Sequence, residues 1–301
     1  MKPLLFKPVY VERIWGGRDL EKYRDDMPEG VIGERWDVSA HTAGMSVVSE
    51  GEYAGKTLLE LVETLGEELV GSKCAGKEFP LLIKLINSCD SLSVQVHPGD
   101  EYARRVENQF GKTECWYVMD AKEGAALVIG TKTTDKDAFK VAALEGTLDQ
   151  YLNTIPVKKG DFFYIPSGLI HAIGPGVIIA EIQQSSDITY RVYDYNRGRE
   201  MHLDKAMEVT DFTLTPETAI SETLLCQGEY FTVEKHTITD SFKDTSNEEK
   251  FFLFTCVEGE GTLICDGFEA KINLGESFLI PATTGEYEIK GNLTVLKSFV
   301  A

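Results

Sequence analysis

The sequence predicts a mainly β protein that consists of two β-barrels in tandem, with a few helical insertions in the first barrel. Short apolar or alternating runs, separated by turn residues, dominate the 301 residues, and such runs are typical of strands. In addition, residues 159–174 align with residues 274–289, which indicates two copies of one β unit. The matched positions are Gly160, Ile165 and Pro166 in the first copy and Gly275, Ile280 and Pro281 in the second.

Two segments of the first barrel have the pattern of helices. In residues 56–71 the apolar side chains recur at helical spacing, and they are Leu58, Leu61, Val62, Leu65 and Leu69. A second helical segment, residues 135–153, follows Thr133 and Thr134. The stretch 211–225 has no strong periodicity and predicts the domain boundary. We therefore expect a first domain over residues 1–213 and a second over residues 214–301.

The composition restricts the possible partners and the compartment. A net charge of −19 argues against nucleic acids and anionic membranes as partners. A small anionic substrate remains possible, because charges more than about 8 Å away are largely screened at physiological salt. No stretch approaches the roughly 18 apolar residues of a membrane span, and the six cysteines form no CxxC pair. We expect a cytoplasmic protein with reduced thiols.

Residues 91–97 predict a strand with polar groups on one face. Ser93, Gln95 and His97 alternate with Leu92, Val94 and Val96, so the polar side chains share one side of the strand. A polar row on an otherwise apolar strand faces either solvent or a lined cavity. Gln95 and His97 can bind the same ion, because positions i and i+2 of a strand project together.

A histidine motif distinguishes the first β unit from the second. Residues 160–171 read G-x5-P-x-G-x2-H and end at His171, which resembles the second signature motif of the cupin superfamily of metal-binding jelly rolls. In the second unit Glu286 aligns with His171, and residues 251–270 contain no histidine. We therefore expect a metal ion in the first unit only.

Further segments extend the resemblance to almost the whole chain. They are "VYVERIWGG", "GERWDVSAH", "PLLIKLINSCDSLSVQVHPGDEYA", "GKTECWYV" and "IIAEIQQSSDITYRVYDYNR". Together they closely resemble type I phosphomannose isomerases, in particular the short bacterial form. The resemblance implies two cupin-type jelly-roll barrels in tandem. It also implies a reversible conversion of mannose 6-phosphate into fructose 6-phosphate through an enediol, with a sugar phosphate as the small-molecule partner.

The same resemblance implies one Zn²⁺ per chain, and the implied ligands are Gln95, His97, Glu114 and His171. Two imidazoles and two oxygen donors suit zinc. Cys115 is adjacent to Glu114, but neighbouring strand residues point to opposite faces, so we expect it outside the site.

The residues expected to contact the substrate include four basic or polar groups. By resemblance, Lys84, Ser93, Lys112 and Arg191 hold the phosphate and hydroxyls, and Arg191 and Lys112 are counted with the catalytic residues. Arginine suits an anion because its planar guanidinium can donate hydrogen bonds to two oxygens at once. Lys84 interrupts an apolar run, and a buried salt bridge is the alternative role for it.

Glu181 is the carboxylate that we expect to carry the proton. It shares strand parity with Gln183 and Ser185, away from Ala180 and Ile182. The alternative role for Glu181 is as a partner of a metal-bound histidine. Two other functions remain open: a non-haem iron cupin dioxygenase, whose ligands would be two histidines and one glutamate, and a non-catalytic sugar-binding cupin.

Overall fold

The computed structural model describes residues 1–24 and 26–301. It confirms the mainly β class, with five short α-helices beside 21 strands. The strands of the first two thirds of the chain are β1 (Leu4–Lys7), β2 (Val9–Gly17), β3 (Ile32–Val38), β4 (Val47–Val48), β5 (Leu81–Ser88), β6 (Val94–Val96), β7 (Glu114–Ala121), β8 (Ala126–Thr131), β9 (Leu152–Pro156), β10 (Phe162–Ile165), β11 (His171–Ile173), β12 (Val177–Gln184), β13 (Tyr190–Tyr193) and β14 (Glu217–Thr218). The remaining strands are β15 (Leu224–Gln227), β16 (Phe231–Ile238), β17 (Ser241–Thr245), β18 (Phe252–Cys265), β19 (Phe268–Ile272), β20 (Ser277–Ile280) and β21 (Glu286–Val300).

The strands form three sheets. A seven-stranded sheet has the order β14-β10-β7-β12-β5-β3-β2, and a five-stranded sheet has the order β13-β6-β11-β8-β9. A nine-stranded sheet contains β15 to β21 together with β1 and β4. These pairings are open paths, and no sheet of the described residues closes into a barrel. The tandem barrels therefore remain a prediction.

The sheets and helices pack in layers. The seven- and five-stranded sheets face each other across one apolar cluster, which includes Trp116, Phe163 and Ile179 from the former and Ile129 and Ile173 from the latter. A second cluster lies on the outer face of the seven-stranded sheet and joins it to the nine-stranded sheet. A third covers the outer face of the five-stranded sheet with helices. The first two sheets thus form a sandwich, which is the frame of the site.

Both predicted helical segments are helical in part. The first contains α1 (Leu58–Leu65) and α2 (Glu67–Val70), separated by Gly66 with a φ of +49°. This left-handed conformation favours glycine and ends the first helix. The second segment contains α4 (Lys136–Glu145), and the expectation of helix up to residue 153 was wrong, because β9 begins at Leu152. The other helices are α3 (Asp100–Val106) and α5 (Leu203–Val209), and 3₁₀ turns occur at Asp19–Lys22 and Leu148–Tyr151. No helix in the described part of the chain is long and apolar enough to cross a membrane.

The internal repeat corresponds to one local structure. Gly160 and Gly275 both have positive φ, +92° and +82°, and each turn leads into a four-residue strand, β10 or β20. A proline follows each strand. The two copies therefore share a turn and a strand, which the sequence pattern predicts.

Two strands pair with a sheet of the other predicted domain. The N-terminal strand β1 pairs with β20 of the nine-stranded sheet, whereas β14, at residues 217–218, pairs with β10 of the seven-stranded sheet. The boundary between residues 213 and 214 remains a prediction. The six cysteines are free thiols, and all are buried except Cys89, which is exposed.

Candidate active site

The candidate active site is a cavity of about 450 Å³ between the seven- and five-stranded sheets. Each sheet contributes one row of directly opposed residues, and residues opposed in antiparallel strands share a face. The row on the seven-stranded sheet is Trp116, Glu181, Lys84 and Trp36. The row on the five-stranded sheet is His171, Gln95 and Arg191. The two rows face each other, and the rings of Trp116 and His171 meet edge to face at 5.4 Å.

Three of the four predicted metal ligands bring buried donor atoms together. Nε2 of His97 lies 3.2 Å from Nε2 of His171. The carboxylate oxygens of Glu114 lie 3.5 Å from the first nitrogen and 3.6 Å from the second. A tetrahedral zinc ion with bonds of about 2.0–2.1 Å separates its ligands by about 3.3–3.4 Å. The observed spacings therefore fit a single ion of this kind.

The fourth predicted ligand, Gln95, lies beside this group. Its Nε2 is 3.3 Å from Nε2 of His171, and its Oε1 accepts a hydrogen bond from Ser93 at 3.3 Å. The two ends of a carboxamide are nearly equal in shape, so a half-turn of the amide directs the oxygen toward His171. Gln95 can thus supply a neutral oxygen donor to the same ion.

Burial keeps both imidazoles in the neutral form that binds metals. Burial lowers the pKa of His171 to about 4, and Lys112 contributes to this shift. The pKa of His97 is also lowered well below its usual range, by burial first and then by Lys112. Nδ1 of His171 donates a hydrogen bond to the carbonyl of Leu169 at 2.9 Å, so Nε2 of the neutral ring carries a lone pair. The lone pair is directed at the other donors.

The Glu114 carboxylate is buried next to the ammonium of Lys112. The Nζ atom of Lys112 lies 2.8 Å from Glu114 and 3.1 Å from Nε2 of His97. Neither oxygen of Glu114 accepts a well-directed hydrogen bond. A buried carboxylate that lacks hydrogen bonds is costly, and a bound cation removes that cost. The donor set and its charge thus fit a divalent metal ion.

Glu181 has two carboxylate oxygens in different surroundings. Oε2 accepts a hydrogen bond from Nε1 of Trp116 at 2.9 Å. Oε1 lies 2.9 Å from the ammonium of Lys84 and 3.8 Å from that of Lys112, but accepts no well-directed hydrogen bond. Oε2 is therefore held by a hydrogen bond to the cavity wall, and Oε1 faces two ammonium groups in the cavity.

Lys84 is paired with carboxylates, which was the alternative role for it. Besides Glu181, the carboxylate of Glu34 lies 3.9 Å from its ammonium. Burial alone would lower the pKa of Lys84, but the two carboxylates outweigh burial and raise it. Lys84 is therefore a protonated side chain of the cavity wall, with its charge already compensated.

Arg191 and Ser93 line the cavity on the side of the five-stranded sheet, on either side of Gln95. The guanidinium of Arg191 has no hydrogen-bond acceptor or carboxylate partner among the described residues, and its Nε is buried. Burial and the nearby Arg199 both lower the pKa of Arg191. An unpaired guanidinium at a cavity wall suits an anionic ligand.

The structure brings all nine predicted site residues to this cavity or to the metal donors that border it. Cys115 instead packs in the cluster on the opposite face of the sheet, as strand alternation predicts. The structure also adds wall residues that sequence analysis did not assign, and these are Glu12, Arg13, Trp15, Glu34, Trp36, Trp116, Asp187, Thr189 and Arg199.

Glu34, one of these added residues, is hydrogen-bonded to two neighbouring side chains. It accepts hydrogen bonds from Nε of Arg13 at 3.0 Å and from Nε1 of Trp36 at 2.7 Å. Burial would raise the pKa of Glu34, but Lys84 and Arg13 outweigh burial and lower it to about 2. The segment "GERWDV" carries charged residues on both faces of its strand, so alternation alone does not tell which face meets a cavity.

Comparison with known proteins gives a consistent result for both parts of the chain. "Phosphomannose isomerase type I, catalytic domain" matches residues 4–138, and "Mannose-6-phosphate isomerase, cupin domain" matches residues 221–300. The mannose-6-phosphate isomerase ManA of Bacillus subtilis (strain 168) is 40% identical over 306 residues, which cover 96% of both chains. The probable mannose-6-phosphate isomerase GmuF of the same organism is 41% identical over 96% of both chains. The crystal structure of the mannose 6-phosphate isomerase from Bacillus subtilis superposes with a TM-score of 0.92, at 36% identity and with 99% of each chain covered.

Proposed function

The chain belongs to the type I phosphomannose isomerase family, and from that premise we propose that it interconverts mannose 6-phosphate and fructose 6-phosphate. The observation that carries this proposal is a cavity with a metal-binding donor set at its border and with a carboxylate and an unpaired guanidinium in its wall. An aldose–ketose isomerisation of a sugar phosphate can use each of these groups. It needs charge stabilisation at the sugar oxygens, a proton carrier between C2 and C1, and a binding group for the phosphate.

The metal in the proposed mechanism is zinc, one ion per chain, held by His97, Glu114, His171 and Gln95. When bound there, zinc would polarise a sugar oxygen and stabilise negative charge that develops on it. His171 is oriented for this role by its hydrogen bond to Leu169. Burial excludes water from His97, Glu114 and His171, each of which is 1% exposed.

Glu181 is the proposed proton carrier between C2 and C1. Its Oε2 is held by Trp116, which leaves Oε1 to accept the proton from one carbon and return it to the other. The transfer passes through an enediol, so no redox cofactor is required. The ammonium groups of Lys84 and Lys112 lie next to Oε1, where they would donate hydrogen bonds to the enediol oxygens.

Arg191 and Ser93 are the proposed binding groups on the five-stranded sheet. A guanidinium binds two phosphate oxygens at once, and the Ser93 hydroxyl can exchange its weak contact with Gln95 for a sugar hydroxyl. In this arrangement the phosphate lies on the five-stranded sheet at the end of the row that begins at His171. The reacting carbons then lie between Glu181 and the metal donors.

The experiment is a coupled assay of the purified protein on mannose 6-phosphate, before chelation, after chelation and after the return of zinc. We expect activity that is lost with the chelator and restored by zinc. Activity that ignores chelation would contradict the metal mechanism. Oxygen consumption without isomerisation would instead indicate the iron dioxygenase, and binding of the sugar phosphate without turnover would indicate the non-catalytic alternative.

A further inference from the structure

The chain segment after β13 contains a buried carboxylate shared by two arginines. Asp194 is 3% exposed. Its oxygens accept hydrogen bonds from Nε of Arg199 at 2.8 Å and from Nη2 of Arg199 at 2.5 Å. Nη2 of Arg197 donates to the same carboxylate at 2.7 Å. One anion therefore anchors two guanidinium groups.

The two arginines differ in what they contact besides Asp194. Arg199 lines the active-site cavity together with Arg191, whereas Arg197 does not line that cavity. Arg197 also donates to the carbonyl of Ser91 at 2.7 Å and lies 3.6 Å from Asp90. The side chain of Arg197 thus connects two loops, whereas Arg199 lies between the active-site cavity and a second cavity of about 510 Å³, which Arg197 and Asp194 also line.

The backbone of this segment is bent to make the shared anchor. Tyr195 and Asn196 have φ values of +53° and +59°, a left-handed conformation that is uncommon for residues other than glycine. The left-handed turn reverses the chain so that two arginines downstream return to the carboxylate of Asp194. Unfavourable backbone conformations of this kind concentrate at functional sites.

Arg191 and Arg199 both line the cavity, so the arrangement brings two like charges to its wall. The guanidinium of Arg191 has no hydrogen-bond acceptor within the described residues, and Arg199 is the cation that lowers its pKa most. Asp194 does not line this cavity but the second one, and its charge raises the pKa of Arg191 less than burial and Arg199 lower it. Arg13 differs in this respect, because its partner Glu34 lines the cavity itself and cancels the charge there.

We propose that Arg199 is a second phosphate-binding residue beside Arg191, and that Asp194 is the positioning residue that holds Arg199 at the cavity. This inference rests on the proposed function, in that the ligand is the phosphate monoester of a sugar. Asp194 uses Nε and one Nη of Arg199, which leaves the other Nη group to donate to a phosphate oxygen. Two guanidinium groups select for the phosphorylated sugar over the free sugar.

The test compares Arg199→Gln with Arg197→Gln, because both variants remove a partner of Asp194 but only the first removes a cavity residue. For Arg199→Gln we expect the KM for mannose 6-phosphate to rise about ten- to hundredfold, the range for a lost charge-assisted hydrogen bond, with kcat within about threefold of the wild type. Inhibition by inorganic phosphate should weaken about tenfold or more. Arg197→Gln should lower the Tm and leave KM and phosphate inhibition within about threefold.

A conservative variant and a direct binding measurement keep the inference testable if Arg199→Gln folds poorly. Arg199→Lys retains the charge but not the planar fork, so its KM should lie between those of the wild type and Arg199→Gln. Equal rises of KM in Arg197→Gln and Arg199→Gln, or an unchanged KM in Arg199→Gln, would overturn the assignment. If the wild type binds phosphate in calorimetry but does not isomerise the sugar, the proposed function fails, and the loss of phosphate binding in Arg199→Gln still tests Arg199.

Discussion

At the scale of single residues, the histidines show how surroundings decide a role. His97 and His171 are both 1% exposed, and their facing Nε2 atoms also contact Lys112, Gln95 and the carboxylate of Glu114. His236, in contrast, lies 3.0 Å from Glu234 on its own strand. His236 thus has a single carboxylate partner, whereas the two facing imidazoles and the carboxylate of Glu114 form a cluster of three buried donors that fits a metal ion.

Replacement of Glu181, the proposed proton carrier, should separate substrate binding from the chemical step. In Glu181→Gln the amide keeps the size of the side chain but cannot act as a base. We expect the variant to retain its metal and to bind mannose 6-phosphate, with kcat reduced about 10²- to 10⁴-fold and KM little changed. Elemental analysis and steady-state kinetics measure these quantities.

A second measurement on Glu181→Gln follows the proton itself. Exchange of the C2 hydrogen of mannose 6-phosphate with deuterium in the solvent reports proton abstraction. We expect this exchange to slow together with kcat. Exchange at the wild-type rate would assign the base to another residue. Glu217→Gln, a change at an exposed position outside the cavity, serves as the matched control.

At the scale of secondary-structure elements, the alternation of side chains along a strand predicted one polar row of the candidate site. The polar row at Ser93, Gln95 and His97 does face the cavity and the metal donors, although the strand itself is only Val94–Val96. Its partners, the strands of His171 and Arg191, are known only from the structure, because strand pairing over such sequence distances has no local signal. The sequence likewise does not reveal that Glu34 joins the site from the N-terminal segment, since both faces of β3 are charged.

Strand β3 connects the active site to the rest of the molecule. Glu34 and Trp36 line the cavity from one face. On the other face Arg35 and Asp37 form a buried ion pair, with Nε of Arg35 donating to Asp37 at 2.6 Å. Arg35 also donates to the carbonyl of Gly275, and Ser277 donates to Asp37 at 3.0 Å. The strand is thus held against β20 of the nine-stranded sheet by polar contacts that are buried.

Asp37→Asn tests this connection. Replacing one partner of a buried pair leaves the guanidinium of Arg35 without its counter-charge, so we expect a loss of about 3–5 kcal/mol in the free energy of unfolding. Denaturant unfolding measures this value. Lys271→Gln breaks an exposed pair with Glu260 and should cost no more than about 1 kcal/mol. Equal effects in the two variants would show that the buried pair is not a structural connection.

At the scale of the whole molecule, the protein has a net charge of −19, but several lysine and arginine side chains line its cavity. The overall composition did not argue against a small anionic ligand. The basic residues of the cavity lie between residues 13 and 199 of the sequence and come together only in the folded protein. The mainly β class and the two repeated units could be predicted from turn residues. How the sheets stack could not, since it depends on apolar clusters that combine distant segments.

The asymmetry between the two repeated units predicts the metal content of the chain. In the first unit His171 begins β11 and is 1% exposed. In the second unit the aligned Glu286 begins β21 and is exposed to solvent. It borders a cavity with Asp244, Asp266 and Glu288, a set of carboxylates without an imidazole. Such a set holds zinc weakly compared with two buried histidines and a glutamate.

We therefore expect one tightly bound zinc ion per full-length chain. His97→Ala and His171→Ala should each lose the metal and the turnover together, because the remaining donors are too few to hold the ion. Glu286→Gln should retain one equivalent and full activity. Elemental analysis after dialysis against a weak chelator provides the measurement, and the full-length chain is required because β1 pairs with β20 and would lose its partner in a truncated protein. Two equivalents in the wild type, or one equivalent retained in His171→Ala, would contradict a single site at the first unit.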